Sequence, residues 1–129
     1  MDREQFMRVW ERVSGESCPN RGSAVATLRE LLELASAAME LYRRLGYGRF
    51  LREKQEELQA LQTEYFILTA ETCPLLPHYE GQSEKPYLLR ECINAEERSA
   101  LLYTGGKWQS ACRKRADEMR QELGRMLGS

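Results

Sequence analysis

The sequence predicts an all-α protein, a four-helix bundle made of two helical hairpins joined by a crossover and preceded by a short N-terminal helix. Three observations carry that prediction. Apolar residues recur with the 3.6-residue period of a helix in four long segments, and no strand-type alternation competes with it. Glycines break the chain inside each half, Gly46 with Gly48 and Gly105 with Gly106, and turns this short make the flanking helices antiparallel neighbours. Between the halves runs a longer connection, Cys73 to Lys85, which bears Pro74 and Pro77 and is mostly polar after Leu75 and Leu76.

Each element follows from its own pattern. Residues 1–22 give a short helix and linker, in which Phe6, Val9, Trp10 and Val13 share one edge. That apolar edge must pack somewhere, either across the bundle or in a second subunit, so a homodimer is one expected partner arrangement. Residues 23–127 give the bundle. Its first helix starts at Ser23, a residue suited to an N-cap, and carries Leu28, Leu31, Leu32, Ala35, Ala38, Met39, Tyr42 and Leu45 on one face. Gly46 and Gly48 end it. The second helix spans about Phe50 to Thr72, with Leu51, Lys54, Leu58, Leu61, Tyr65 and Leu68 inward, before Pro74 opposes continuation. The third, from Pro86 to Thr104, presents Leu89, Cys92, Ile93, Glu96, Ala100 and Tyr103, and the fourth presents Trp108, Cys112, Ala116, Met119, Leu123 and Met126. A lone helix of this length is marginal in water. Burial at ~25 cal/mol per Å² offsets the ordering entropy only when all four stripes face one another.

The chain has 129 residues, the size of one ordinary domain able to bury a core without staples. Its 19 basic and 20 acidic residues leave no net field that would draw it to nucleic acid or to an anionic membrane. The first residues lack an apolar run of signal-peptide length, and no segment has the ~20 apolar residues needed to cross a bilayer, so a cytoplasmic, non-membrane protein is expected. In that compartment Cys18, Cys73, Cys92 and Cys112, which form no Cys-x-x-Cys pair, are reduced thiols. The single histidine, His78, follows Pro77 in the crossover. With no Ser-His-Asp or Cys-His set and no Gly-rich phosphate loop, most hydrolase and nucleotide-binding readings fall away.

Charged residues interrupt the inward rows at Lys54, Glu57 and Glu96, and these form a core charged cluster. The stretch Leu61-Gln62-Thr63-Glu64-Tyr65-Phe66-Ile67-Leu68-Thr69-Ala70-Glu71 resembles the end of the second helix in ferritin-like, rubrerythrin-related bacterial proteins, and Glu96 to Tyr103 resembles their third-helix Glu and downstream Tyr. The wider likeness covers roughly Leu28 to Leu127. It implies a ferritin-like bundle in which each hairpin supplies an inward Glu from its first helix and a Glu-x-x-His from its second, around two metal ions.

Carried over residue by residue, most of that pattern is missing. Registering Tyr65-Phe66 puts Lys54 at the Glu position of the second helix and Glu57 at its His position. On the first helix the matching level offers Ala35, Ala38 and Met39, with Glu33 and Glu40 toward the flanks. On the fourth it offers Ala116 and Met119, or Glu118 and Gln121 in a register shifted by one or two residues. Only Glu96 matches directly. A buried carboxylate costs several kcal/mol unless paired, so Lys54 is expected to supply positive charge to Glu57 or Glu96, unless all three side chains reach water along their stems.

Three function classes follow. The leading one is a ferritin-like bundle that has lost its di-metal site and acts as a non-catalytic binding or scaffold protein, with no catalytic residues, no cofactor, and a protein partner or second copy. The alternative is a divergent di-iron or di-manganese carboxylate oxidoreductase of peroxide or oxygen chemistry, whose metal ligands would be Glu57, Glu96 and Glu118. The third is a nucleic-acid binder using Arg113, Lys114, Arg115, Arg120 and Arg125 as a basic outer face, but interleaved Asp117, Glu118 and Glu122 dilute its field. Tyr42, Tyr65 and Tyr103 on the inward rows are structural, with buried rings and bonded hydroxyls.

Overall fold

The computed structural model describes residues 24–72, 79, 81 and 83–128. Four helices make up nearly all of these: α1 Ala24–Leu45, α2 Gly48–Thr69, α3 Lys85–Leu102 and α4 Gly106–Gly128. No strand occurs among the described residues. The N-terminal stretch with Phe6, Val9, Trp10 and Val13, the cap at Ser23, and Cys18, Cys73, Pro74, Pro77 and His78 lie outside them.

The first hairpin turns on Gly46. Its φ of 75° is a left-handed conformation that glycine adopts without steric cost. There the Tyr47 N–H donates to Tyr42 O at 3.0 Å and the Gly46 N–H to Arg43 O at 3.2 Å, the paired closure that satisfies the last carbonyls of α1. The second helix then begins at Gly48, two residues ahead of Phe50. It also stops sooner than the Thr72 expected from Pro74. Ala70 takes a left-handed φ of 58° and its N–H donates to Phe66 O at 2.7 Å. The Thr69 hydroxyl donates to Tyr65 O at 2.8 Å and accepts the Glu71 N–H at 3.2 Å. This local side-chain bonding offers the backbone an alternative to another helical turn, so a threonine rather than a proline ends α2.

Pro86 lies in the first turn of α3, where its missing N–H costs nothing. At the other end Gly105 and Gly106, both at positive φ, turn the chain into α4. The Gln109 amide reaches back from α4 to donate to Ala100 O and Tyr103 O, each at 2.8 Å, which caps carbonyls that the end of α3 leaves free.

Helix α1 packs against both α2 and α3, and α3 against α4. Side chains join α2 and the turn before it to α4: Arg49 pairs with Glu118 at 2.8 Å, and the Tyr47 hydroxyl donates to Glu122. The apolar core forms two clusters. One gathers Leu28, Leu31, Leu32, Ala35, Leu58, Leu61, Tyr65, Ala100, Tyr103 and Cys112. The other gathers Ala38, Leu41, Tyr42, Phe50, Leu88, Leu89, Cys92, Ile93, Ala95 and Met119. The inward row of α4 holds as far as Met119, but Met126 and Leu127 are exposed. Lys85, the first residue of α3, pairs with Glu122 at 2.7 Å, so residues 123–128 run past the end of their neighbour and have less to pack on.

Candidate functional site

Between the two apolar clusters lies a layer of charge. Along α2 the change of cluster comes after Phe50, and Lys54 and Glu57 fall there; on α3 it comes between Ile93 and Ala100, at Glu96; on α4 between Cys112 and Met119, at Arg115. Helix α1 carries Ala35 and Ala38 at its own change of cluster, small residues that leave room for the long side chains opposite. Lys54, Glu57 and Glu96 are 0% exposed and Arg115 is 2% exposed.

The four side chains are mutually paired. Lys54 Nζ donates to Glu57 Oε1 at 3.0 Å, one turn along its own helix, and lies 2.5 Å from Glu96 Oε1 on α3. The second distance is a charge contact rather than an aligned hydrogen bond, since Glu96 Oε1 has no hydrogen-bond donor among the described residues. Arg115 spreads its fork over three carboxylates: Nε to Glu96 Oε2 at 2.7 Å, Nη1 to Glu53 Oε1 at 3.0 Å and Nη2 to Glu57 Oε1 at 3.3 Å. Glu53 sits at the rim, its side chain 41% exposed. Two cations thus face two sealed carboxylates, and the innermost layer is neutral.

Neutral side chains complete it. The Tyr103 hydroxyl donates to Glu57 Oε2 at 2.9 Å. The Cys112 sulfur accepts from Lys54 Nζ and from Arg115 Nη2, both at 3.7 Å, and lies 3.8 Å from Glu57 Oε1. Tyr42 is fully buried, and its hydroxyl has no hydrogen-bond partner among the described residues. Tyr65 accepts from Arg29 at 3.0 Å. So Tyr65 and Tyr103 have bonded hydroxyls, and Tyr42 departs from the expectation.

Burial and charge set the protonation states. Burial disfavours the Lys54 ammonium, but the Glu57 and Glu96 carboxylates outweigh it and hold its pKa above the ordinary lysine value. Arg115 is likewise held up, with Glu96 as the leading attraction against burial. Burial pushes the Cys112 and Cys92 thiols up, and Glu96 adds to the effect at both. The same pair of causes raises Tyr42, and burial with Glu57 raises Tyr103. At neutral pH the layer holds charged Lys54 and Arg115 beside neutral thiols and phenols.

Arg115 is the member that the sequence reading placed wrongly, on the basic outer face with Arg113 and Lys114. It points inward. The signal was present, because position 115 lies three after Cys112 and four before Met119, both inward residues, and so falls on the same helical stripe. Grouping it by charge with its neighbours concealed that. Glu118, the candidate ligand of the shifted register, is half-exposed and pairs with Arg49 at the surface, while Gln121 is exposed. Both help line an open groove of about 450 Å³ between the start of α2 and the end of α4. On the remaining basic face, Arg120 is paired with Glu97 and Asp117.

Within the layer Glu57 and Glu96 are the sealed carboxylates, and each already faces fixed cations at contact distance. Among the described residues no three His, Cys, Asp or Glu side chains gather as a metal ion would require. No described helix is long and apolar enough to cross a membrane. Comparisons with protein-family models, with curated proteins and with solved structures found no match.

Proposed function

We propose that this chain is a ferritin-like helical bundle in which a charge layer stands in place of a di-metal centre, and that it works as a non-catalytic binding or scaffold protein. The observation that carries this reading is the placing of Lys54 and Arg115 between Glu57 and Glu96, two cationic heads where the resemblance implies two ions. The spacing supports it. Residues three apart on the second helix of each hairpin, Lys54 with Glu57 and Cys112 with Arg115, converge with Glu96 from α3, at the i, i+3 separation of a Glu-x-x-His pair. The packing order agrees as well, since α1 touches α2 and α3 while α4 meets α3 and, through side chains, α2. In such a bundle the two helices joined by the long connection lie diagonally.

A sealed, neutral, fully charged layer has no exposed base or nucleophile to offer a substrate, so function passes to the outer faces and to a protein partner or a second copy. Metal content decides between this and the iron or manganese oxidoreductase. The chain is folded and purified without chelator in the presence of both metals and read by plasma mass spectrometry. Background metal is the expected result, and a stoichiometric pair of ions per chain overturns the reading. Light scattering on the same material distinguishes a homodimer from a monomer that awaits another protein.

A further inference from the structure

Cys112 and Lys54 are a thiol and a primary amine on different helices, 3.7 Å apart between Sγ and Nζ, in a layer that no reaction described above uses. Both are fully buried, and a carboxylate oxygen, Glu57 Oε1, lies 3.0 Å from the nitrogen and 3.8 Å from the sulfur. That oxygen is placed to take a proton from either group. The gap between sulfur and nitrogen is too wide for a direct bond without a large shift of α2 against α4. A single inserted oxygen closes it with a smaller movement.

We propose that Lys54 and Cys112 form an oxidative modification site, at which hydrogen peroxide joins the two side chains through one bridging oxygen as an N–O–S link. The chemistry uses two peroxides. In the first step the Cys112 sulfur attacks one peroxide oxygen, the O–O bond breaks, and the thiol becomes a sulfenic acid as water leaves. In the second the Lys54 amine, its proton passed to Glu57, attacks another peroxide; the O–O bond breaks, water leaves, and the amine becomes a hydroxylamine. The hydroxylamine oxygen then displaces water from the sulfenic sulfur, so that an S–O bond forms as the S–OH bond breaks. Sulfur and nitrogen are oxidised, both peroxides are reduced to water, and the protein gains one oxygen and loses two hydrogens. The product ties α2 to α4 covalently and removes the Lys54 charge from the layer. Burial keeps Cys112 as the neutral thiol, and Glu57 and Glu96 hold Lys54 as the ammonium that must first give up its proton, which makes both steps slow and restricts them to sustained peroxide.

The test treats the folded full-length chain with hydrogen peroxide, quenches it, digests it and maps the peptides by mass spectrometry. Exposed Met126 gauges oxidant delivery. The expected product is a peptide pair containing Lys54 and Cys112, heavier by one oxygen and lighter by two hydrogens, split again by dithiothreitol and absent from Cys112→Ser. Lys54→Arg keeps the cation without a primary amine, and there Cys112 is expected to stop at sulfenic acid or go on to sulfinic acid. The proposal is overturned by Cys112 sulfinic acid beside unmodified Lys54 in the wild type, by an unmodified Cys112 when Met126 is fully oxidised, by a cross-link without the oxygen, or by a link that forms only in denaturant.

Discussion

Arg115 Nε lies 2.7 Å from Glu96 Oε2, and both side chains are sealed from water between the two apolar clusters. The contact ties α4 to α3, and the same guanidinium reaches Glu57 and Glu53 on α2. One side chain therefore links the two hairpins.

Replacing it should be severe. Arg115→Met leaves Glu57 and Glu96 with Lys54 as their one cation, and an uncompensated buried charge costs about 3–5 kcal/mol. Urea unfolding with unchanged slope should show that loss. Arg115→Lys should recover only part of it, because an ammonium cannot span three carboxylates as the planar fork does. A stability within 1 kcal/mol of wild type for Arg115→Met, on the scale of an exposed pair, would mean the layer is wetter and looser than its geometry shows.

Lys54 and Glu96 should prove coupled. Lys54→Met strands the Glu96 oxygen that contacts its ammonium, whereas Lys54→Met with Glu96→Gln removes both charges together. The double variant should be less destabilised than the sum of the singles by more than about 1 kcal/mol, the range found for residues in one network. Additive losses, or a melting temperature that Lys54→Met leaves unchanged, would show that the pair does not act as one unit.

The periodicity of the sequence made the helices and most of the core legible. Leu28 through Tyr42, Leu58 through Tyr65, and Leu89 through Tyr103 fall on inward faces as their spacing requires. The burial of Lys54, Glu57 and Glu96 was readable in the same way, since each interrupts an apolar stripe. The second cation is harder to see, because Arg115 stands in a basic run where charge alone does not separate an inward residue from its outward neighbours. The end of α2 is hidden for a related reason: Pro74 is a conspicuous stop signal, but a left-handed Ala70 and the Thr69 hydroxyl act four and five residues before it. How the side chains pair across helices is a three-dimensional property, and no spacing along one helix could show that Tyr103 reaches Glu57.

That tyrosine gives a milder prediction. Tyr103→Phe keeps the ring in its cluster and removes the donor to Glu57 Oε2, an oxygen that is buried. The expected loss is about 1–3 kcal/mol, as for a buried acceptor left short of a partner. Tyr65→Phe is the comparison, since its hydroxyl meets the exposed Arg29 and its loss should cost less. Equal losses in the two variants would place Glu57 in contact with water.

Alkaline pH should unfold this bundle early, because every resolved shift within the layer has the same sign. The Cys92, Cys112, Tyr42, Tyr103 and Lys54 pKa values are all raised by folding, the first four by burial foremost and Lys54 by its carboxylates against burial. A raised folded pKa means that the unfolded chain gives up its proton first. The stabilising contribution is therefore complete below the unfolded value and is lost as pH rises toward the folded one. Those ordinary values are 9.0 for the thiols, 10.0 for the phenols and 10.5 for the lysine. Once pH exceeds its ordinary value, each group removes about 1.4 kcal/mol per pH unit. Urea midpoints should thus be level from neutrality to about pH 8.5 and then fall ever more steeply as thiols, phenols and lysine join in turn. Cys112→Ser should remove the part of the decline that begins near the thiol value while leaving the rest. A midpoint that stays level to pH 10.5 would mean that these side chains titrate alike in the folded and unfolded chain, and so are not sealed.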